Sequence, residues 1–283
     1  MVATPVREIA EGKGAVAFER TGARTVLREA RATSPLQLLT PRNHGHAAWV
    51  IVASLGGGLV DGDALGLDVH VGRGAAALLG TQASTKVYRC PERACRQDLR
   101  ASVEADGVLV AIPDPVACFA GARYEQSVRV DLDASASLVL VDAFTAGRSA
   151  RGERWDFARY ASRTTVTRGG ATILHDSILL DPAHGALRAR MGRFDAFATL
   201  VVVGPRTAAI RAAALAVPEA PIGGPDRTLR AAAPIHASAS PLGDDGAIVR
   251  IAATSTELVS AALRERLAGI AALLGDDPYA RKW

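Results

Sequence analysis

The sequence predicts a mainly β protein of helicoidal, stacked antiparallel β-sheets with two flanking α-helices in its C-terminal third. Three observations carry this. From about residue 50 to 180 apolar residues alternate with polar or small ones, as in Leu65, Leu67, Val69 and Val71 and again in Val128, Val130 and Leu132, the period of a half-buried strand. Such strands recur in pairs around tight turns. Helical periodicity is confined to the last third of the chain.

The strand pairs come in order. Leu67–Val71 leads through Gly72-Arg73-Gly74 into Ala75–Leu79, and Leu99–Glu104 through Ala105-Asp106-Gly107 into Val108–Ile112. Val128–Leu132 leads through Asp133-Ala134-Ser135 into Leu138–Val141, and Thr164–Thr167 through Arg168-Gly169-Gly170 into Thr172–Leu174. Each unit reads as strand, tight Gly/Asp turn, strand. The turns lie roughly 30 residues apart, a spacing at which solenoid-like stacks arise; its irregularity suits an antiparallel sandwich almost equally. A short helix is expected from Thr207 to Leu215, followed by a Pro/Gly-rich loop from Val217 to Gly224. Thr254-Ser255-Thr256-Glu257 matches a capping box in which the Thr hydroxyl and Glu carboxylate satisfy orphan amides. Val259, Leu263, Leu267, Ile270 and Leu274 then mark one helical face, and Gly275 suits its end. No boundary divides the chain, so residues 1–283 are read as one domain.

Composition narrows the function classes. With 283 residues, 49% of them apolar, the chain can bury a core without disulfides. The longest apolar stretches, such as Leu138–Val141 and Thr199–Val203, are too short to span a bilayer, and Met1–Pro5 lacks a signal-peptide pattern. A soluble, cytoplasmic protein without a membrane role is expected. Three cysteines, Cys90, Cys95 and Cys118, argue against a disulfide framework and read as small buried or semi-exposed thiols. Cys90 and Cys95 lack the second pair that a structural zinc site needs. A pI near 9.2 points towards nucleic acid, but the net charge is only +4 and the arginines are scattered among acids, so no nucleic-acid partner is expected.

Several motifs carry candidate chemistry. Gly56-Gly57-Gly58-Leu59-Val60-Asp61-Gly62-Asp63 lacks the Gly-Lys-Ser/Thr and following helix of a phosphate loop. It reads as a close-packed turn whose Asp61 and Asp63 bond the turn backbone. Ser84 and Lys86 share a strand face and suggest a nucleophile with its base, or else a polar, partner-facing run. His44-Gly45-His46 offers imidazoles to a metal, or a polar loop. Arg148, Arg151 and Arg154 surround Glu153, as a solvated ion-pair network or as a polar interface or channel. Asp114, Asp142 and Asp176 each follow the second strand of a unit, with Gln82 near the equivalent place in the first. They read as turn-capping residues or as a carboxylate line for a divalent ion in transit.

The ordered series Gly57–Asp63, Leu65–Val69, Ala76–Leu79, Thr81–Arg89, Ile112-Pro113-Asp114-Pro115, Phe119–Tyr124 and Gly147-Arg148 through Gly152-Glu153-Arg154 resembles the UreD/UreH urease accessory proteins. The similarity covers residues 10 to 205 well and the remainder loosely. Gly80-Thr81 stands where family members often carry Thr-Thr, and residues 276–283 fall outside the match; Tyr279 and Trp283, beside basic residues, read as a docking tail. The resemblance implies a scaffold and not an enzyme. It implies binding to a UreF-type accessory protein, and through it recruitment of a UreG-type GTPase to apo-urease for nickel insertion. It also implies an internal nickel route with no tightly bound cofactor, Ni2+ being held only transiently. Asp142, Glu153, Asp176 and Asp114 are the expected metal contacts, and Arg148 and Arg151 would position those carboxylates or hold the partner. The competing readings are a hydrolase or transferase built on Ser84/Lys86 or Cys90, and a β-solenoid binding module without a metal role.

Overall fold

The computed structural model describes residues 11–216 and 233–280; the loop expected at Val217–Gly224, and Trp283, lie outside them. The first half contributes β1 (Glu11–Thr21), β2 (Arg24–Ala32), β3 (Leu36–Leu39), β4 (Ala48–Ser54), β5 (Ala64–Val71), β6 (Ala76–Thr81), β7 (Thr85–Val87), β8 (Cys95–Val103), β9 (Val108–Ile112), β10 (Val116–Cys118), β11 (Arg123–Leu132) and β12 (Ser137–Thr145). There follow β13 (Arg159–Arg168), β14 (Ala171–Leu180), α1 (Leu187–Met191), β15 (Ala196–Val203), α2 (Ala208–Leu215), β16 (Ile235–Leu242), β17 (Gly246–Ala253), α3 (Thr256–Arg266) and α4 (Ile270–Leu274). The chain is mainly β, and its sheets stack like the coils of a β-solenoid.

The strands form two facing sheets. One runs β14-β13-β11-β8-β5-β1-β2, the other β16-β17-β15-β12-β9-β6-β4-β3, with β7 and β10 beside it. The chain alternates between them, so β5, β8, β11 and β13 lie parallel in the first sheet and β4, β6, β9 and β12 parallel in the second. The expected antiparallel pairing is found only towards the sheet ends, as at β1–β2, β13–β14 and β12–β15. The turn geometry explains the difference. Gly74 (φ 64°) and Asp106 (φ 59°) each supply one left-handed residue, and these corners hand the chain to the facing sheet. Gly169 and Gly170 are both left-handed (φ 55° and 83°), the signature of a type I′ two-residue hairpin, and β14 folds back beside β13.

Burial follows this layering. β6 and β9 are buried on both faces, as near-continuous apolar strands should be. Leu79, Ala111 and Leu140 face the space between the sheets, where Val69, Ala101 and Val130 meet them. Leu78, Val110 and Val139 face the opposite side, which Ile210, Leu263, Leu267 and Leu274 of the helical layer cover. A third cluster, rich in aromatics and holding all three cysteines, fills one end of the stack.

The expected long C-terminal helix is broken after Arg266 and resumes at Ile270. Gly269 lets this break approach α2, since a Cβ there would stand 3.2 Å from Ile210 Cγ1. The cap also differs from the expected box: Ser255, not Thr254, is the N-cap, its hydroxyl accepting from the Leu258 amide. Gly275 ends α4 in the left-handed conformation (φ 79°), as the sequence suggests.

Candidate functional site

The parallel register turns one residue per coil into a line across the sheet. Leu99 and Val128 stand opposite each other, and Val128 opposite Thr164. Two residues earlier the same inward face carries Gln97, Gln126 and Ser162, again in register. A polar line thus replaces an apolar one inside the stack. Asp142 meets it from the facing sheet, because Val141 and Ala143 on either side turn towards the helices. The Asp142 carboxylate accepts from Ser162 Oγ at 2.6 Å and from Gln126 Nε2 at 3.1 Å. The Tyr124 hydroxyl donates to Gln126 at 2.9 Å and also bonds Gln97.

Burial raises the pKa of Asp142 from its ordinary value, the bonds from Ser162 and Gln126 oppose that shift, and the nearby charge of Asp176 adds to it. The group lines a cavity of about 120 Å³ together with Gln97, Gln126, Thr85, Thr81 and Asp114, space for a few waters at about 30 Å³ each. Gln97, Gln126 and Ser162 escaped the sequence reading. The signal for the first two was a glutamine on the inward-facing side of the alternations Gln97-Leu99-Ala101 and Gln126-Val128-Val130.

Thr81 and Asp114 form one boundary of this cavity. Thr81 Oγ1 donates to Asp114 Oδ2 at 2.9 Å and accepts from the Asp114 amide at 2.7 Å. Thr81 also lines an outer hollow of about 380 Å³ with Leu39, Trp49, Gln82, Pro278 and Tyr279, and a recess of about 170 Å³ with Gly58, Ser84 and Lys86. Burial pushes the Tyr279 hydroxyl up to about 12, with Arg264 opposing and the Asp114 charge adding to the shift. The Arg264 guanidinium lies 5.5 Å from the Tyr279 ring centroid.

The other expected site residues lie elsewhere. Asp176 is on β14 in the first sheet, ion-paired with Arg250 at 2.8 Å, and it reaches Asp142 by charge rather than by contact. The equivalence of Asp114, Asp142 and Asp176 is therefore corrected, since β13–β14 is a hairpin within one sheet. Glu153 stands apart from the cavity lining: it is paired with Arg148 and accepts from the Ala120 amide at 3.1 Å. These bonds, Arg148 first, hold its carboxyl below the usual range. Arg148 also lies 4.2 Å over the Phe119 ring. Arg151 is exposed at the end of a single 3-10 turn, Ser149–Arg151. Arg154 turns inward to Asp195 and to the carbonyls of Gly192 and Phe194.

A family model describing the UreD urease accessory protein matches residues 10–283. The chain belongs to the UreD family of urease accessory proteins. The match runs through residues 206–283, which the sequence reading placed only loosely. The chain is 62% identical to the urease accessory protein UreD of Sorangium cellulosum, over 96% of this chain and 84% of that one. It is 44% identical to UreD of an Anaeromyxobacter species (95% and 89%) and 35% identical to urease accessory protein D of Oryza sativa subsp. indica (95% and 96%). These relatives are named accessory proteins, not enzymes, and family membership supports a role in urease maturation in association with urease and other accessory proteins.

In this member of the UreD family the remaining motifs have structural partners. His46 Nε2 bonds the Leu273 carbonyl at 3.1 Å, and the His44 amide donates to Asp276, so the loop is tied to the end of α4. Asp63 closes the glycine-rich turn by accepting from the Val60 amide. Asp61 reaches further than expected, to the amides of Glu92 and Arg93. Among the described residues no hydrogen bond joins Ser84 to Lys86, and no group of three or more His, Cys, Asp or Glu is placed to hold a metal ion. Among them, too, no helix is long and apolar enough to cross a membrane.

Proposed function

We propose that this chain is a cytoplasmic scaffold for nickel insertion into apo-urease. It binds a UreF-type accessory protein, through it recruits the UreG-type GTPase, and acts as one unit over residues 1–283. Nickel is the cargo and passes through the space between the two sheets.

The observation that supports this reading best is Asp142. A carboxyl group inside a β-stack is costly unless it is hydrogen-bonded, as Asp142 is by Ser162 and Gln126, and an ionisable group with a shifted pKa in a cavity marks a candidate functional position. Three oxygen-bearing side chains, Gln97, Gln126 and Asp142, line a space open enough for a few waters. Hard and borderline divalent ions accept such ligands, and a single carboxylate holds them weakly enough for release. Thr81 lines both this space and the outer hollow at Tyr279, and the reading takes the ion past it. Asp176 tunes the same carboxylate by charge. Arg148, Glu153 and the exposed Arg151 form a loop suited to a partner surface, with Glu153 holding Arg148 in place.

The test is co-expression of apo-urease and its other accessory proteins with this chain, with Asp142→Asn, and without either. The reading expects nickel content and urease activity to depend on the chain, and Asp142→Asn to cut both while the accessory complex still assembles. Equal filling of urease in all three cultures would sink it. Loss of the complex in the variant would make Asp142 structural instead.

A further inference from the structure

The aromatic end of the stack holds a feature that neither nickel nor partner binding uses. Cys90 and Cys95 flank a four-residue loop, and their sulfurs stand 3.4 Å apart. Both are buried. The intervening Pro91, Glu92 and Arg93 are exposed. That loop is pinned, because Asp61 Oδ1 accepts from the amides of both Glu92 and Arg93 at 3.0 and 2.8 Å. Cys90 is anchored as well, its amide donating to the Gly121 carbonyl at 3.1 Å, and Cys95 opens β8 opposite Tyr124. The two thiols are thus held side by side by backbone on both ends. Closing them to the length of a disulfide, about 2.05 Å, needs a shift of little more than an ångström.

We infer that Cys90 and Cys95 are a reversible thiol-oxidation site, Cys90 being the sulfur that hydrogen peroxide oxidises and Cys95 the one that resolves it. The polarity follows from where the thiols point: Cys90 Sγ donates to the Tyr88 carbonyl at 3.2 Å, which leaves the Cys95 thiol to donate across the pair. That bond lowers the Cys90 pKa against the opposing effect of burial and raises that of Cys95. Cys90 is therefore the sulfur favoured as thiolate, the nucleophile. Its sulfur attacks one peroxide oxygen and the O–O bond breaks. Hydroxide leaves and takes up a proton as water, and Cys90 becomes a sulfenic acid. The Cys95 sulfur then attacks Cys90, the S–O bond breaks, and a second water departs as the S–S bond forms. Two thiols and one peroxide give one disulfide and two waters, and a dithiol reductant reverses the step. Cys118 is a bystander: it is buried on β10 beside Val87, and burial raises its pKa.

The full-length chain is treated with hydrogen peroxide in slight excess, unfolded and titrated for thiols. Free thiols should fall from three to one and return to three with dithiothreitol, and a peptide map should join Cys90 to Cys95. In Cys95→Ser, whose hydroxyl can still donate to Cys90, the reaction should stop at a dimedone-trapped sulfenic acid on Cys90. Cys118→Ala, which keeps the pair, should lose both of its thiols, and it carries the test if Cys95→Ser does not fold. Survival of all three thiols, a link through Cys118, a sulfinic acid on Cys90 of the unaltered chain, or an adduct on another cysteine would each overturn the assignment.

Discussion

At the scale of single residues, Asp142 is where stability and function pull apart. Its neighbours on β12 are apolar and turned outward, and its own carboxyl is held by Ser162 and Gln126 in a place that favours the proton. Burial raises its folded pKa above the unfolded value near 3.9. The folded chain therefore keeps the proton to higher pH than the unfolded chain. The stability this supplies is complete below the unfolded pKa and is lost as pH rises through the raised folded one. Asp142→Asn removes the titration. Urea unfolding from pH 4 to 8 should show the parent losing stability relative to the variant, by up to about 1.4 kcal/mol per pH unit while the group titrates. Parallel curves would mean that Asp142 is as acidic folded as unfolded. The sequence marked this aspartate through its place after a strand, but the residues that bind it were hidden. Gln126 and Ser162 are distant in sequence, and only the coil-to-coil register makes them neighbours.

At the scale of elements, strands were legible and their pairing was not. Alternation of Leu65, Leu67, Val69 and Val71 defines one buried face whichever way the neighbouring strand runs. Direction is set at the corners. At Gly74 and Asp106 the left-handed residue sits in a corner to the facing sheet, at Gly169-Gly170 in a hairpin within one sheet. The register then stacks unlike segments, as the β5–β8–β11 lines show. The helical layer shows the same limit on a smaller scale. The periodicity of Val259, Leu263, Leu267, Ile270 and Leu274 correctly marks the covered face, yet it cannot show that Gly269 lets the chain bend against α2. The capping-box pattern also chose the wrong one of two adjacent hydroxyls, Thr254 in place of Ser255. Because Ser255 accepts from the Leu258 amide, Ser255→Ala should destabilise the chain by about 1 kcal/mol. Thr254→Ala should stay within about 0.5 kcal/mol. A reversed order in thermal or urea unfolding would return the cap to Thr254.

At the scale of the whole molecule, the second sheet is the shared wall of two cores. Leu79, Ala111 and Leu140 close the space between the sheets, and Leu78, Val110 and Val139 on the same strands close the space under the helices. Neither core can open without exposing strands that the other needs. The cavity at Asp142 lies on the inter-sheet side of that wall, and the outer hollow with Trp49, Leu78 and Tyr279 lies on its helical side. This coupling predicts one cooperative transition. Trp49 reports on the helix-side core and Trp155 on the aromatic end of the stack, and each can be read alone when the other tryptophans are changed to Phe. Leu267, fully buried among the helices and the wall, is far in sequence from both probes. Leu267→Ala should cost about 2–5 kcal/mol as a cavity in a packed core. If the wall joins the two cores, both tryptophans should report the same lowered urea midpoint, with the slope of the transition unchanged. If only the Trp49 signal moves, the helical layer unfolds by itself, and residues 1–283 would have to be treated as two units in the assembly on urease.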